Sequence, residues 1–343
     1  MSGKTVFVTG ATGLLGNNLT RELLARGARV RALARSKEKA ARQFPGLVGD
    51  ALEIVQGDLQ DVAGFADRLR GCDILIHTAA YFRDSYKGGS HRGALTRTNV
   101  DGTRALIDAA YAAGIRRIVH TSSIAVLKGE RGALVDETML RNPADADDYY
   151  RSKIMSERVV IEALAAKPDL DACFVLPAWM WGPGDAGPTS AGQTALDFLH
   201  RRLPGIPPAT FSFVDARDVA AALIAAAEKG RRGERYLAAG RSLSLAELFP
   251  KLETVTGIPA PKRRLPLTLL YAIGGAQEIF ARLTGRPVLL SWAAVKGLAA
   301  EIGRTNFSAA KSQRELGIAF RPIEETLRDT VAWFRAQGLA PKA

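Results

Sequence analysis

The sequence predicts an α/β fold, a doubly wound parallel sheet with a smaller, mostly helical C-terminal domain. Three observations lead to this prediction. A short apolar strand near the N-terminus runs directly into a glycine-rich turn and a helix. Further short strands then alternate with helical stretches over short links, which is typical of parallel sheets covered by helices on both faces. The later part of the chain shows mainly helical patterns, including an apolar helix at residues 267–283.

The first strand and its turn indicate a ligand site. Val6, Phe7 and Val8 have the composition of a central strand that is covered on both faces. The turn Gly10-Ala11-Thr12-Gly13-Leu14-Leu15-Gly16 then opens a helix that continues to Arg26. Glycines in such a turn permit a tight bend, the approach of a pyrophosphate and close packing of helix on strand. We therefore expect a dinucleotide at this helix N-terminus, and a glycine-rich turn that binds nothing is the alternative.

The second and third strands end in residues that can contact a dinucleotide. The second strand, residues 29–34, leads into Arg35, where sites for NAD usually place a carboxylate. An arginine suits the 2′-phosphate of NADP, and the alternative is an ordinary surface arginine. The third strand, residues 53–56, is followed by Gly57-Asp58-Leu59. Since the carboxyl ends of parallel strands face the ligand crevice, we expect Asp58 and Leu59 to hold the adenine.

The fourth and fifth strands continue this arrangement. Residues 72–77 form the fourth strand and run into Thr78-Ala79-Ala80, whose small side chains let the backbone pass close to a cofactor. Asn99-Val100-Asp101-Gly102-Thr103 opens the next helix. Residues 117–121 form the fifth strand, which ends in Thr121-Ser122-Ser123.

The spacing Tyr149-x-x-x-Lys153 carries the clearest chemistry. Residues i and i+4 share one face of a helix, so the ammonium group is expected to lie near the phenol. That proximity would lower the pKa of Tyr149 from about 10 toward neutrality, as a general acid requires. A serine at the end of the fifth strand can hold the carbonyl oxygen that Tyr149 protonates. The alternative is an aromatic residue and a lysine on an ordinary amphipathic helix.

These motifs together resemble one known family. The glycine turn at residues 10–16, Thr121-Ser122-Ser123, Tyr149-x-x-x-Lys153 and Gly182-Pro183-Gly184-Asp185 resemble the extended short-chain dehydrogenase/reductase family. Within it, the chain looks like the dihydroflavonol-reductase-like and NAD-dependent epimerase/dehydratase branches. The resemblance implies a Rossmann-type NAD(P)-binding domain at residues 1–177, to which residues 211–230 return. It implies a substrate-binding domain at residues 178–210 and 231–343.

The resemblance also implies roles for single residues. Tyr149 would be the catalytic acid and base, and Lys153 would hold the nicotinamide ribose. Ser123 would orient the substrate carbonyl, with Ser122 as the second choice, and Asn99 would support its helix and a proton-relay water. Cofactor contacts are expected from Gly10, Thr12, Gly13, Leu14, Leu15, Gly16, Arg35, Asp58, Leu59, Thr78, Ala79, Ala80, Thr121, Tyr149, Lys153 and Pro177.

One stretch departs from the family pattern and bears on the substrate. Sugar-nucleotide epimerases carry an Arg-x-x-Asn-x-Tyr-Gly-Pro-like stretch after the sixth strand, whereas this chain has Leu176-Pro177-Ala178-Trp179-Met180-Trp181-Gly182-Pro183. The missing asparagine and the two tryptophans favour a small apolar or aromatic substrate.

The leading hypothesis for function is therefore an NADPH-dependent reductase of a ketone or aldehyde. The nicotinamide would give the hydride and Tyr149 the proton. Because Arg35 suits a 2′-phosphate, NADP(H) is favoured over NAD(H). The alternative in a second class is an NAD-dependent sugar-nucleotide epimerase or dehydratase. A non-catalytic NADP-sensing protein is a third hypothesis, which the Tyr149 and Lys153 pair disfavours.

The rest of the chain, from residue 178 onward, shows patterns of secondary structure. Residues 178–208 are rich in glycine and proline and read as irregular, and residues 211–229 read as a return to the cofactor domain with a helix from Asp215. Residues 236–238 read as a strand. Helices are expected at residues 245–255, 267–283 and 328–337.

Composition limits the partners. The chain has 343 residues and a net charge of +12, but its basic residues are scattered rather than arranged in a stripe with aromatics, so no nucleic-acid partner is expected. Four histidines and two cysteines show no metal-ligand spacing, so no metal site is predicted. Cys72 and Cys173 are expected to be buried, reduced thiols.

Hydrophobicity and the N-terminus bear on location. The N-terminus lacks a signal-peptide pattern, and charged residues interrupt the most hydrophobic tract, residues 265–290. A cytoplasmic protein without a membrane-spanning segment is expected. The helix at residues 267–283 is open to two interpretations, a membrane-surface helix and the lining of an apolar substrate pocket. A homodimer is suggested by the resemblance alone.

Overall fold

A seven-stranded parallel sheet forms the centre of the computed structural model, which describes residues 1–82, 91–284 and 292–341. A sheet of three strands lies beside it in the fold. The strands are β1 Thr5–Thr9, β2 Arg29–Ala34, β3 Leu52–Gln56, β4 Ile74–His77, β5 Arg117–Thr121, β6 Asp171–Pro177, β7 Trp179–Trp181, β8 Thr210–Asp215, β9 Arg235–Ala238 and β10 Arg241–Ser244. The large sheet has the order β3-β2-β1-β4-β5-β6-β9, with every neighbouring pair parallel.

Helices flank this sheet and make up much of the C-terminal region. They are α1 Leu14–Ala25, α2 Lys37–Gln43, α3 Arg92–Leu95, α4 Gly102–Ala112, α5 Asp148–Ala166, α6 Ser190–Leu199, α7 Ala216–Lys229, α8 Leu245–Thr256, α9 Leu267–Thr284, α10 Trp292–Glu301, α11 Ala310–Leu316 and α12 Ile323–Ala336. A π-helical turn, Thr96–Asp101, joins α3 to α4. The predicted doubly wound α/β fold with a helical C-terminal region is confirmed.

The centre of the large sheet follows from its sequence. Val6, Phe7 and Val8 in β1 are fully buried, as their β-branched and aromatic composition predicts for a strand covered on both faces. The chain runs outward from β1 to β2 and β3, and then crosses to β4 on the other side. This reversal of strand order opens a crevice at the carboxyl ends of β1 and β4, where ligands bind in sheets of this type.

Residues 178–208 are more regular than the sequence analysis predicted. They contain β7 and α6, whereas their glycine and proline content had indicated an irregular stretch. The strand β7 has three residues and is too short to give a pattern. It pairs with β8, whose Phe211 and Phe213 pack with Trp179 at ring-centroid distances of 4.3 Å and 5.1 Å. Tertiary packing of aromatic side chains therefore creates a sheet that the local sequence does not reveal.

The proposed division into domains remains a prediction. The strand β9 lies in the range assigned to the substrate domain and pairs with β6 of the large sheet. The strand β8 lies largely in the range assigned to the cofactor domain and pairs with β7 and β10 of the small sheet. A strand from the predicted substrate domain thus lies in the large sheet, and a strand from the predicted cofactor domain lies in the small sheet.

Two further expectations concern helices and cysteines. The predicted apolar helix is present as α9, and residues 285–290 at the end of the hydrophobic tract lie outside the described residues. None of the described helices combines the length and apolar composition needed to cross a bilayer.

Cys72 and Cys173 are buried free thiols, as predicted.

Candidate active site

The glycine turn lies at the end of β1, where the strand order reverses. Gly10 has a φ of +71°, and a Cβ on it would lie 2.8 Å from backbone atoms of Ala79. A Cβ on Gly16 would lie 2.1 Å from the carbonyl oxygen of Gly10. Because any side chain would overlap backbone atoms at these positions, only glycine permits the contact of α1 with β1 and with the segment after β4.

Gly13 leaves the N-terminus of α1 open. It is the N-cap residue and has no side chain that could accept hydrogen bonds from the first turn. A Cβ on Gly13 would come within 4 Å of one atom, the Gly10 carbonyl oxygen at 3.3 Å. The first N–H groups of α1 and the positive end of its dipole therefore remain available to an anion. This arrangement fits the pyrophosphate of a dinucleotide.

Thr78 and Ala79 are tied to the end of β1. Thr78 Oγ1 donates a hydrogen bond to the Thr9 carbonyl oxygen at 2.6 Å, and the Ala79 N–H donates to Thr9 Oγ1 at 3.2 Å. Ala80 follows and is exposed. The structure thus brings Thr78 and Ala79 against Gly10, and their contact with a cofactor remains a prediction.

Arg35 and Asp58 follow β2 and β3 at the same edge of the sheet, since both strands run parallel to β1. Arg35 is exposed, and its guanidinium makes no hydrogen bond or ion pair with the described part of the chain. Asp58 Oδ1 accepts a hydrogen bond from the Gln60 N–H at 2.9 Å, and Leu59 is buried. No direct hydrogen bond or ion pair joins the side chains of Arg35 and Asp58.

The other expected cofactor contacts lie on α1 and at two further strand ends. Thr12 is half-buried, and Leu14 and Leu15 are buried in the first turn of α1. Thr121 and Pro177 are the buried last residues of β5 and β6. Thr121 Oγ1 is a buried hydroxyl that finds no hydrogen-bond partner in the described ranges. Such an orphaned polar atom is consistent with a site that a ligand completes.

Tyr149 and Ser123 come together opposite the end of β5. Tyr149 lies in the first turn of α5, and its phenol is hydrogen-bonded to the Ser123 side chain. Ser123 Oγ also accepts a hydrogen bond from the Ala125 N–H at 3.2 Å. Ser122 is buried, and its hydroxyl has no partner among residues 1–82, 91–284 and 292–341. Of the two candidate serines, Ser123 is the one that reaches Tyr149.

Lys153 lies one turn further along α5 and is 3% exposed. Its Nζ donates a hydrogen bond to the Thr121 carbonyl oxygen at 2.8 Å. Burial lowers the pKa of Lys153 to about 8, and the nearby Glu157 carboxylate opposes this shift. An ammonium group has three N–H donors, so two remain for other acceptors in the crevice.

The expectation that Lys153 brings the pKa of Tyr149 toward neutrality is wrong for this structure. Burial raises the pKa of Tyr149 above its usual value, and the hydrogen bond from Ser123 only partly opposes this shift. The spacing does place both residues in the site, but Lys153 Nζ is directed at the Thr121 carbonyl. Tyr149 is therefore a neutral phenol at physiological pH, the form that can donate a proton.

Asn99 lies in the π-helical turn and is 2% exposed. Its Oδ1 accepts a hydrogen bond from the Tyr81 N–H at 2.6 Å, while its Nδ2 donates to the Tyr81 carbonyl oxygen at 3.0 Å. Nδ2 also donates to Ser152 Oγ at 3.0 Å, and that hydroxyl donates to the Tyr149 carbonyl oxygen. Asn99 thus connects the loop after β4 with the start of α5.

Two buried histidines, to which the sequence patterns assign no role, lie on β4 and β5. His77 and His120 face each other on β4 and β5, with ring centroids 5.3 Å apart. His77 Nδ1 lies 2.7 Å from Thr9 Oγ1, and its Nε2 lies 3.0 Å from Thr103 Oγ1. Burial lowers the pKa of His77 to about 3, with a further contribution from the charge of Lys153. The sequence places His77 and His120 near the ends of two neighbouring predicted strands, and this placement could have indicated that they lie close to the site.

An aromatic residue that the sequence analysis missed borders Tyr149. The ring of Phe82 meets the Tyr149 ring edge-on, with centroids 4.8 Å apart. Nothing in a single sequence distinguishes this phenylalanine, because it lies in a loop and its contact is with a residue far along the chain. Trp179, which the sequence analysis singled out, is half-buried, and its Nε1 donates to Ser190 Oγ at 3.0 Å.

Comparison with known proteins identifies the family. A family model described as the NAD dependent epimerase/dehydratase family matches residues 6–239, which hold the glycine turn, Ser123, Tyr149 and Lys153. The chain belongs to this family. The resemblance to extended short-chain dehydrogenases/reductases is thereby confirmed. This epimerase/dehydratase-family protein is accordingly an NAD(P)-dependent enzyme, and a nicotinamide cofactor is the ligand that its crevice fits.

Individual relatives match along almost the whole chain. Sterol demethylase protein B of Methylococcus capsulatus is 39% identical, over 98% of this chain and 99% of the relative. A 4-hydroxy-2-methyl-3-oxo-4-farnesyl-3,4-dihydroquinoline-1-oxide ketoreductase of Stigmatella aurantiaca is 30% identical, over 92% of both chains. The solved structure of gox2253 superposes with a TM-score of 0.84 at 31% identity, over 99% of this chain and 100% of that one.

Proposed function

We propose that this family member is an NADPH-dependent reductase of ketones or aldehydes on small, apolar or aromatic substrates. The observation that carries the proposal is the hydrogen bond between Tyr149 and Ser123 beside the buried ammonium group of Lys153. A proton donor and a second hydroxyl that meet at one point can together bind a carbonyl oxygen.

Tyr149, Ser123 and Lys153 each have one role in the proposed reaction. NADPH, when bound, supplies the hydride to the carbonyl carbon. Tyr149 donates its phenolic proton to the carbonyl oxygen, and its raised pKa keeps it protonated for that direction of reaction. Ser123 donates a hydrogen bond to the same oxygen, because a carbonyl oxygen can only accept, and the Ser123 hydroxyl can donate while it accepts from the Ala125 N–H. Lys153 holds ribose hydroxyls with the N–H groups that Thr121 leaves available.

Arg35 supports the choice of NADP(H) over NAD(H). Its exposed guanidinium stands at the end of β2, where sites for NAD place a carboxylate. A guanidinium can form two parallel charge-assisted hydrogen bonds with a phosphate. Since Arg35 makes no competing ion pair with the described part of the chain, it remains available to a 2′-phosphate.

Phe82 and Trp179 support an apolar or aromatic substrate. Phe82 packs against the ring of Tyr149, so an apolar surface adjoins the ring that carries the reacting hydroxyl. Trp179 is half-buried in β7, directly after Pro177 and Ala178. The names of the two relatives, a sterol demethylase protein and a ketoreductase of a farnesyl compound, also favour an apolar substrate.

A second candidate is a sugar-nucleotide epimerase or dehydratase that retains NAD. The family description favours it, whereas the missing asparagine and the tryptophans at 179 and 181 oppose it. Two further proposals rest on the resemblance, the division into cofactor and substrate domains and a homodimer. A cytoplasmic location is proposed from the charged residues that interrupt the hydrophobic tract at residues 265–290.

The proposal is tested by measuring NADPH oxidation with a panel of carbonyl compounds, after checking whether the purified protein retains a nicotinamide. The panel contains aliphatic, aromatic and isoprenoid ketones and aldehydes. Turnover with an apolar ketone, and with a protein that carries no nicotinamide, supports the reductase. Firmly bound NAD together with interconversion of a nucleotide sugar would replace it with the second candidate.

A further inference from the structure

Arg141 is a buried arginine that the proposed reaction does not use directly. Its side chain is 4% exposed, and its Nε donates a hydrogen bond to the Ala125 carbonyl oxygen at 2.9 Å. Its backbone N–H donates to the Val126 carbonyl oxygen at 2.8 Å. Arg141 therefore holds two consecutive residues of the turn that begins at Ser123. A buried guanidinium requires such acceptors, because an unpaired charge inside a protein is costly.

Glu301 is the second partner of this guanidinium. Arg141 Nη2 lies 3.0 Å from Glu301 Oε1 and 3.2 Å from Oε2. Glu301 is the last residue of α10, where a carboxylate faces the negative end of the helix dipole, so the guanidinium offsets an unfavourable interaction. The ion pair joins the turn after Ser123 to the C-terminal helical region.

Backbone hydrogen bonds strengthen the same connection. The Gly132 N–H donates to the Gly303 carbonyl oxygen at 2.7 Å, and the Val135 N–H donates to the Asn306 carbonyl oxygen at 2.8 Å. The loop that leads to Arg141 is thus paired with the stretch that directly follows α10. The Arg141–Glu301 ion pair is consequently held between two segments that already contact each other.

The guanidinium of Arg141 also contacts the helix that carries Tyr149. It lies over the ring of Tyr150, 4.8 Å from the centroid. The Tyr150 and Tyr149 rings are 6.1 Å apart in an edge-on arrangement. One side chain therefore touches the turn of Ser123, the neighbour of Tyr149 and the end of α10.

We propose that Arg141 is a positioning residue that keeps Ser123 and Tyr149 at hydrogen-bonding distance. Through its ion pair with Glu301, this distance depends on the position of the C-terminal end of α10. The inference rests on the proposed roles of Ser123 and Tyr149. Loss of the Glu301 carboxylate lets the guanidinium shift and loosens its hold on the Ala125 carbonyl. Ser123 is then misplaced, although the cofactor crevice at β1 is unchanged.

Glu301→Gln tests this proposal with little change of shape. The matched control is Glu315→Gln, because Glu315 is 23% exposed against 24% for Glu301 and forms an ion pair with Arg231 at 2.9 Å. Amide hydrogen exchange is measured on the full-length protein, over peptides that cover residues 122–127 and, for comparison, β1. Kd for NADPH is measured in parallel, with kcat and KM for the best ketone of the panel.

Glu301→Gln is expected to accelerate exchange in residues 122–127 while β1 stays protected, and Glu315→Gln is expected to leave both unchanged. Glu301→Gln should also lower kcat by between about tenfold and 100-fold, because a small misplacement of a reacting group has that cost. Kd for NADPH should stay within about twofold, as α1 and its turn are unaffected.

Three outcomes overturn the proposal: unchanged exchange in residues 122–127, equally fast exchange in β1, and faster exchange with an unaltered kcat. The last of these is interpreted with Ser123→Ala. If that variant retains full activity, the proposed role of Ser123 fails, and if it is inactive, the positioning role of Arg141 fails. Exchange needs no substrate, so the effect of Glu301 on the turn is decided even when no ketone of the panel reacts.

Discussion

The phenol of Tyr149 is hydrogen-bonded to the side chain of Ser123, and Ser122 lies next to it in sequence without reaching this contact. The two serines therefore make a controlled comparison. They share a position at the end of β5 but differ in their access to the reacting oxygen.

Replacing each serine by alanine should separate their roles. Ser123→Ala removes a donor to the carbonyl oxygen and is expected to lower kcat by about 10²- to 10³-fold, with Kd for NADPH retained. Ser122→Ala should leave kcat close to that of the wild type. Steady-state kinetics with an apolar ketone measures both. Equal losses in the two variants would contradict the assignment of Ser123.

Arg35 should govern the choice of cofactor. Arg35→Ala is expected to weaken NADPH binding by about 10- to 100-fold, since it removes charge-assisted hydrogen bonds to the 2′-phosphate, and to leave NADH binding unchanged. Fluorescence titration gives both dissociation constants. The control is Arg42→Ala, which removes another exposed arginine, from the nearby α2. A similar loss for NADH and NADPH would refute this role of Arg35.

Gly16 should be intolerant of any side chain. Its Cβ would lie 2.1 Å from the Gly10 carbonyl oxygen, so Gly16→Ala must displace α1 from the turn. We expect a loss of about 3 kcal/mol in the free energy of unfolding, and weaker binding of the cofactor. Gly49→Ala is the control, because a Cβ there meets nothing within 4 Å, and it should change stability by less than about 0.5 kcal/mol. Urea denaturation compares the two, and a stable Gly16→Ala protein would show that the close approach is unimportant.

His77 should make the fold sensitive to acid. Its pKa is lowered to about 3 in the native state, so below about pH 6.5 the unfolded chain binds a proton that the native state does not. The contribution of His77 to the free energy of unfolding is therefore fully present above that pH. It falls by about 1.4 kcal/mol per pH unit as the pH decreases toward 3.

His77→Asn removes this contribution. The slope of unfolding free energy against pH, measured from about pH 6 to about pH 4, should be shallower by about 1.4 kcal/mol per pH unit. His200→Asn, at an exposed histidine, should keep the wild-type slope. The same steep slope in the His77 variant would show that His77 is not kept neutral by burial.

The architecture could be predicted wherever it depends on local pattern. Burial on both faces gives β1 its unbroken apolar composition, and the close approach of Gly16 to Gly10 requires glycine, so both leave a trace in the sequence. The spacing of Tyr149 and Lys153 likewise reflects one turn of α5.

The rest depends on contacts between residues far apart in the chain. The pKa of Tyr149 was misjudged because the sequence shows the helical spacing of Lys153, but not the Thr121 carbonyl that accepts its hydrogen bond. Phe82 and Arg141 have neighbours that no local pattern reveals. The small sheet was missed for the same reason, since β7 is formed by its pairing with β8.

The most direct test of the proposed chemistry uses NADPH with deuterium at both C4 positions of the nicotinamide and follows the label into the product of an apolar ketone. We expect one deuterium on the carbinol carbon for each NADPH oxidised, and a loss of about 10²- to 10⁴-fold in rate for Tyr149→Phe with Kd for NADPH retained. A product without deuterium, or full activity of Tyr149→Phe, would contradict the claim that Tyr149 gives the proton and NADPH the hydride to a carbonyl group.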